Sequence, residues 1–122
     1  MDIPNIVLWV LQALVALAFG MAGFMKVFRY ETAREQLPWV KDVSHQLVTF
    51  IGSVELLGAV GLILPRLTGI LPWLTPLAGV GLALVMLLAL GFHVRRHETP
   101  VVNIVLLVLA VVVAVGRFTL AA

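Results

Sequence analysis

The chain has 122 residues, of which 62% are hydrophobic and 11% charged, with a formal net charge of +2. A soluble domain carries about 25% charged residues, so the composition excludes an ordinary soluble fold. The absence of cysteine excludes a disulfide, a dithiol redox pair and a thiolate metal site within the chain. The few basic residues lie between apolar runs and form no nucleic-acid patch, so the expected environment is a lipid bilayer.

Four apolar runs follow one another, each close to the roughly 20 residues that cross about 30 Å of hydrocarbon as a helix. They predict an all-α polytopic membrane protein, a single domain over residues 1–122. The expected helices are at about 4–28, 46–65, 69–93 and 100–119. A cleaved signal is not expected, because Asp2 rather than a basic region precedes a long apolar core. Short connections after the first make sequential helices antiparallel neighbours in a four-helix bundle.

The longest polar segment, at about 29–44, joins the first two helices. Its first part, from Tyr30 to Leu37, favours a helix, and Pro38 ends it. Trp39 follows, and tryptophan at the edge of a span is typical of the headgroup level. We therefore predict a short interfacial helix or hairpin on the membrane surface, with a plain solvated loop as the alternative.

Basic residues are unequally divided between the two ends of the bundle. Arg66 and Arg117 lie at the end that carries both termini. The other six lie on the first and third connections, at Lys26, Arg29, Arg34, Lys41, Arg95 and Arg96. This bias predicts that those connections face the cytoplasm and that both termini face outward.

Small residues recur at helical spacing in the first two predicted helices. They are Ala13, Ala16, Gly20 and Gly23 in the first, and Gly52 and Ala59 in the second, with Gly58 beside that face. Small residues on a shared stripe let membrane helices approach closely. We expect the two stripes to face each other.

Glu55 lies inside the second apolar run, where an ionisable side chain costs about 2.5–3.5 kcal/mol on insertion scales. Depth counted from the helix ends makes Gln12 its first candidate partner, while Lys26 lies roughly 10 Å or more away along the membrane normal. With no cation at its depth, Glu55 is expected to be protonated and to donate a hydrogen bond to a lipophilic ligand. The alternative is that Glu55 only holds helices together.

A polar cluster follows the third helix, with His93 and His97 at a spacing that can hold a metal. The intervening Arg95 and Arg96 disfavour a cation there, so no metal site is predicted. A positive cluster at a helix end is typical of an anchor to anionic headgroups. The predicted interfacial anchors are Trp39, Trp73, His93, Arg95, Arg96 and His97.

Several short motifs together resemble the DoxX and DoxX-like family of small bacterial membrane proteins. They are Ala22-Gly23-Phe24-Met25-Lys26, then Gly52-Ser53-Val54-Glu55-Leu56-Leu57-Gly58, Leu64-Pro65 and Gly116-Arg117. The resemblance covers nearly the whole chain and implies a four-span protein of the bacterial inner membrane. It also implies an accessory subunit of a membrane oxidoreductase system, including systems that oxidise sulfur compounds and feed quinone. The family's recurring Lys and Glu fall on Lys26 and Glu55, which favours that pairing over Gln12, and both pairings stay open.

Three functions are consistent with these residues. The first is a subunit that binds a quinone or other lipophile beside Glu55, with Gln12 and Lys26 as candidate ligand-binding residues. The second is a structural or assembly protein on which a partner, or a second copy through the Val/Leu/Ala face of the fourth helix, would pack. The third is a small proton-coupled transporter, although the two halves show no convincing repeat. An enzyme acting alone is least expected, and no cofactor beyond a quinone or lipid is suggested.

Overall fold

The computed structural model describes residues 2–119, which form helices joined by short connections. The helices are α1 (Ile3–Phe28), α2 (Tyr30–Gln36), α3 (His45–Thr68), α4 (Leu74–Arg95) and α5 (Val101–Thr119), with a 3₁₀ turn at Pro38–Asp42. Helices α1, α3, α4 and α5 are long and apolar enough to cross a membrane. The predicted all-α, four-span membrane fold is therefore confirmed.

Side chains at the helix starts cap the exposed backbone amides. Asp2 Oδ1 accepts a hydrogen bond from the Asn5 amide at 2.9 Å, and Ser44 Oγ accepts one from the Leu47 amide at 3.1 Å. Each cap satisfies an amide that has no partner within its own helix. Two of the long helices thus begin at positions that the local sequence specifies.

The connection between α3 and α4 lies later than the sequence predicted. Helix α3 continues through Pro65 to Thr68, because a proline is tolerated in a membrane helix whose surroundings satisfy the freed backbone. It ends at Gly69, whose φ of 74° is the left-handed conformation that glycine adopts without a steric cost. Helix α4 then begins at Leu74 rather than near residue 69.

The long helices pack in a ring in which α1 contacts α3, α3 contacts α4, α4 contacts α5, and α5 returns to α1 through a smaller contact. Residues 2 and 119 lie at one end, here called the terminal end. The connections 29–44 and 96–100 lie at the other, here called the basic end. Large apolar side chains cover the outside, as at Leu57 and Leu88, which are 73% and 75% exposed. Such a surface is suited to lipid rather than to water.

Helices α1 and α3 approach most closely where two glycines meet. A Cβ added at Gly23 would lie 2.6 Å from the carbonyl oxygen of Gly52, and one added at Gly20 would lie 3.8 Å from Ala59 Cβ. The absence of side chains therefore allows direct backbone contact near the basic end. This contact sets the register between α1 and α3.

The predicted stripes differ from the observed contacts at one position. Ala13 is exposed, so its predicted place in the packing stripe is wrong, whereas Ala16 packs against the core. The buried face of α1 passes through Gln12 instead, about 100° around the helix from Ala13. Gly58 faces Leu82 of α4 rather than α1.

The glycine contact can be tested by adding a single methyl group. Gly23→Ala should lower the free energy of unfolding by about 1–3 kcal/mol, because the new Cβ would overlap the Gly52 carbonyl. Gly81→Ala is the matched control, since no atom beyond its own helix backbone lies within 4 Å of its added Cβ. It should leave stability unchanged or raise it by up to about 1 kcal/mol through helix propensity. Denaturant unfolding in detergent measures both, and equal effects at the two glycines would contradict the close contact.

Candidate functional site

A buried ion pair joins α1 to α3. Lys26 Nζ lies 2.5 Å from Glu55 Oε1, and the two residues are 7% and 2% exposed. Lys26 lies in the last turn of α1, and its Cβ packs on the backbone of Gly52, where an added Cβ would come within 2.7 Å. Its side chain spans the remaining turn of α3 to reach the carboxylate. The local glycine contact thus positions both charges.

The predicted pairing of Glu55 with Gln12 is wrong. Gln12 Nε2 donates to the carbonyl oxygen of Leu62 at 2.6 Å, about two turns of α3 beyond Glu55. Counting depth from the helix ends failed because α3 continues to Thr68, past the predicted end at residue 65, so Glu55 lies farther from that end than was counted. The expectation that Glu55 has no cation beside it is also wrong, and its Oε1 accepts a hydrogen bond rather than donating one.

The ring of Trp39 lies over the ion pair. Its centroid is 5.5 Å from Lys26 Nζ, within the range of a cation–π contact. The ring also meets Phe92 and His93 edge to face, with centroid distances of 6.2 Å and 6.3 Å. Trp39, predicted only as a headgroup anchor, is therefore half-buried in an aromatic cluster next to the candidate site.

A polar network at the basic end surrounds this aromatic cluster. Arg96 binds Asp42 at 2.5 Å and Glu98 at 3.0 Å, and it therefore ties the 3₁₀ turn to the end of α4. His93 Nδ1 donates to Glu98 Oε1 at 2.8 Å. The hydrogen bond from His93, assisted by Arg96, holds the pKa of Glu98 below its ordinary value. Glu98 is therefore ionised at neutral pH and remains an acceptor for both His93 and Arg96.

The predicted anchors separate into two groups. His93 and Arg96 contact other protein groups, whereas Arg95 and His97 are exposed at the basic end. Trp73 is 56% exposed at the terminal end, which fits an interfacial position. Within residues 2–119, no group of three or more His, Cys, Asp or Glu side chains could hold a metal ion.

A second polar cluster, near the terminal end, was missed by the sequence analysis. Arg117 Nε donates to Gln12 Oε1 at 2.6 Å, and Arg117 NH1 donates to Asn5 Oδ1 at 2.7 Å. The guanidinium also lies 5.5 Å from the ring centroid of Trp9. Arginine in the last turn of an apolar helix was the available signal, but nothing in the sequence identified its partners on α1. Gln12 therefore belongs to this cluster and does not contact Glu55.

Four long antiparallel apolar helices around a buried Lys–Glu pair define a multi-pass membrane protein. The family model for the DoxX-like family matches residues 10–115, which include both Lys26 and Glu55. The chain belongs to the DoxX-like family, as the resemblance of its motifs predicted. No curated protein and no solved structure matches the chain.

Single and double substitutions measure how the two charges depend on each other. Lys26→Met or Glu55→Leu should each lower the free energy of unfolding by about 3–5 kcal/mol, because the remaining charge would be buried without its partner. The double variant Lys26→Met/Glu55→Leu should be more stable than either single variant, since it leaves no uncompensated charge. Denaturant titrations in one detergent give the coupling. Additive losses would contradict an ion pair that acts as a unit.

Proposed function

We propose that this protein is an accessory membrane subunit of an oxidoreductase system and binds a lipophile at Lys26 and Glu55. The observation that carries the proposal is the buried ion pair with the ring of Trp39 over it. Ionisable groups inside a membrane bundle are costly and usually mark functional sites. Four apolar helices can pack without a buried ion pair, so helix packing alone does not account for this one.

The chemistry of the pair suits a ring-containing lipid that carries oxygen atoms. Lys26 Nζ can donate a hydrogen bond to a carbonyl oxygen, and the Glu55 carboxylate can accept one from a hydroxyl. A quinone offers the first group and a quinol the second, and both offer a flat ring. Trp39 and Phe92 would supply aromatic surfaces for that ring. Because the chain has no cysteine, thiol redox chemistry would belong to a partner protein.

The charge bias supports an orientation in the bacterial inner membrane. The basic end would face the cytoplasm, with the termini on the outer side. Lys41→Cys gives a single thiol on the exposed part of the basic end, because the natural chain has no cysteine. A membrane-impermeant maleimide should not label it in intact spheroplasts but should label it in inverted vesicles. The opposite pattern would reverse the proposed orientation.

Mass spectrometry of the purified protein tests the lipophile. Wild type purified in mild detergent should retain about one quinone or related lipid per chain, and Glu55→Leu should lose it. Ser53→Ala is the matched control, because Ser53 Oγ on the same helix donates to the Thr49 carbonyl of that helix at 2.8 Å. This control should retain the lipid as wild type does.

The double variant Lys26→Met/Glu55→Leu separates ligand binding from cohesion. It is expected to be folded but empty, since its charges are removed together. Wild-type protein that purifies without lipid would contradict the proposal. Lipid retained equally by the double variant would also contradict it, and would leave the pair with a structural role.

A further inference from the structure

The connection between α1 and α3 folds back over the basic end of the bundle. The rings of Tyr30 and His45, which begin α2 and α3, stack with centroids 3.7 Å apart. Val48, in the first turn of α3 and on the same face as Gly52 and Glu55, is fully buried. Full burial so near a helix end requires a covering element, and α1 ends at this level. The segment between α1 and α3 leaves α1 and enters α3 at this same end of the bundle.

The 3₁₀ turn Pro38–Asp42 contributes an aromatic ring beside the ion pair. Its Trp39 ring lies over Lys26 Nζ, and the neighbouring Val40 is fully buried. The ring is in turn positioned by edge-to-face contacts with Phe92 and His93. The turn therefore packs inward onto α1 and α4 through apolar side chains, while Lys41 and Asp42 are exposed.

One ion pair fastens this turn to α4. Asp42 and Arg96, 54 residues apart in sequence, meet at 2.5 Å, and their side chains are 54% and 27% exposed. An ion pair this exposed shifts an equilibrium by about one- to fivefold only. It can therefore hold the turn in place and still release it readily.

We propose that the 3₁₀ turn Pro38–Asp42 is a cover over the Lys26–Glu55 pair, with Trp39 as its contact and Asp42–Arg96 as its latch. The pair is then reached from the basic end when the turn lifts, and not between helices from the bilayer centre. Access of water and small solutes to the ion pair is set by this turn. The cover itself does not depend on the proposed function; only the identity of a ligand that would enter by this route rests on it.

Thiol labelling of the whole chain tests the cover. The chain has no cysteine of its own, so each introduced cysteine is the single labelling site. Val48→Cys places a thiol in the buried first turn of α3, and a small water-soluble maleimide measures how often it is exposed. Adding Asp42→Asn should raise the labelling rate about two- to fivefold, the range expected for loss of an exposed ion pair. Adding Trp39→Ala should raise it by about tenfold, because the desolvated ring contact on Lys26 is lost.

Two controls make the readout specific. Lys41→Gln removes an exposed charge from the same turn without touching the latch, and it should leave the rate at Val48→Cys unchanged. Val113→Cys reports from a fully buried position in α5, and its rate should not respond to either cover variant. The proposal is overturned if neither variant accelerates labelling at residue 48, or if residue 113 accelerates equally. Acceleration by only one of the two variants overturns the role given to the other group.

The labelling needs no bound lipid, so its failure is distinguishable from failure of the proposed function. If the cover variants accelerate labelling but the purified protein holds no lipid, this inference is supported and the proposed lipid binding is contradicted. If the protein retains a lipid but labelling at residue 48 does not respond, lipid binding is supported and the cover is contradicted.

Discussion

The backbone contact between Gly23 and Gly52 is the constraint on which the rest of the site depends. Lipid solvates apolar side chains as well as a neighbouring helix does, so burial alone does not choose a register between two membrane helices. Close packing at small residues and internal polar contacts must choose it. The glycine contact brings the last turn of α1 beside α3, and Lys26 then reaches Glu55. Packing and electrostatics thus select the same register.

Two internal polar clusters fasten the bundle near its opposite ends. Lys26 and Glu55 join α1 to α3, while Arg117 joins α5 to α1 through Gln12. The direct contact between α1 and α5 is small, so the hydrogen bonds of Arg117 help to close the ring of helices. The two clusters differ in chemistry, because the first contains opposite charges beneath aromatic rings. That difference is why the candidate ligand site is assigned to the basic end.

The connection between α1 and α3 contributes side chains to the interior as well as to the surface. Trp39 meets Lys26, and Asp42 meets Arg96 at the end of α4. Two adjacent arginines that were both predicted to be headgroup anchors therefore differ in their contacts. Arg95 stays exposed, whereas Arg96 orders the turn that lies over the ion pair. The site is assembled from four separate parts of the chain, which are α1, the connection, α3 and the end of α4.

The sequence by itself determined the four-span fold and the family, and it singled out Glu55 as an acid within a span, because these follow from hydropathy and motif spacing. It also indicated the α1–α3 glycines, because small residues are a local signal. Only the tertiary structure decided that Glu55 pairs with Lys26 and that Gln12 pairs with Arg117. Those partners depend on the relative shift and rotation of whole helices. A rotation of about 100° separates Ala13 from the buried Gln12, and hydropathy differs little between such faces in a chain surrounded by lipid.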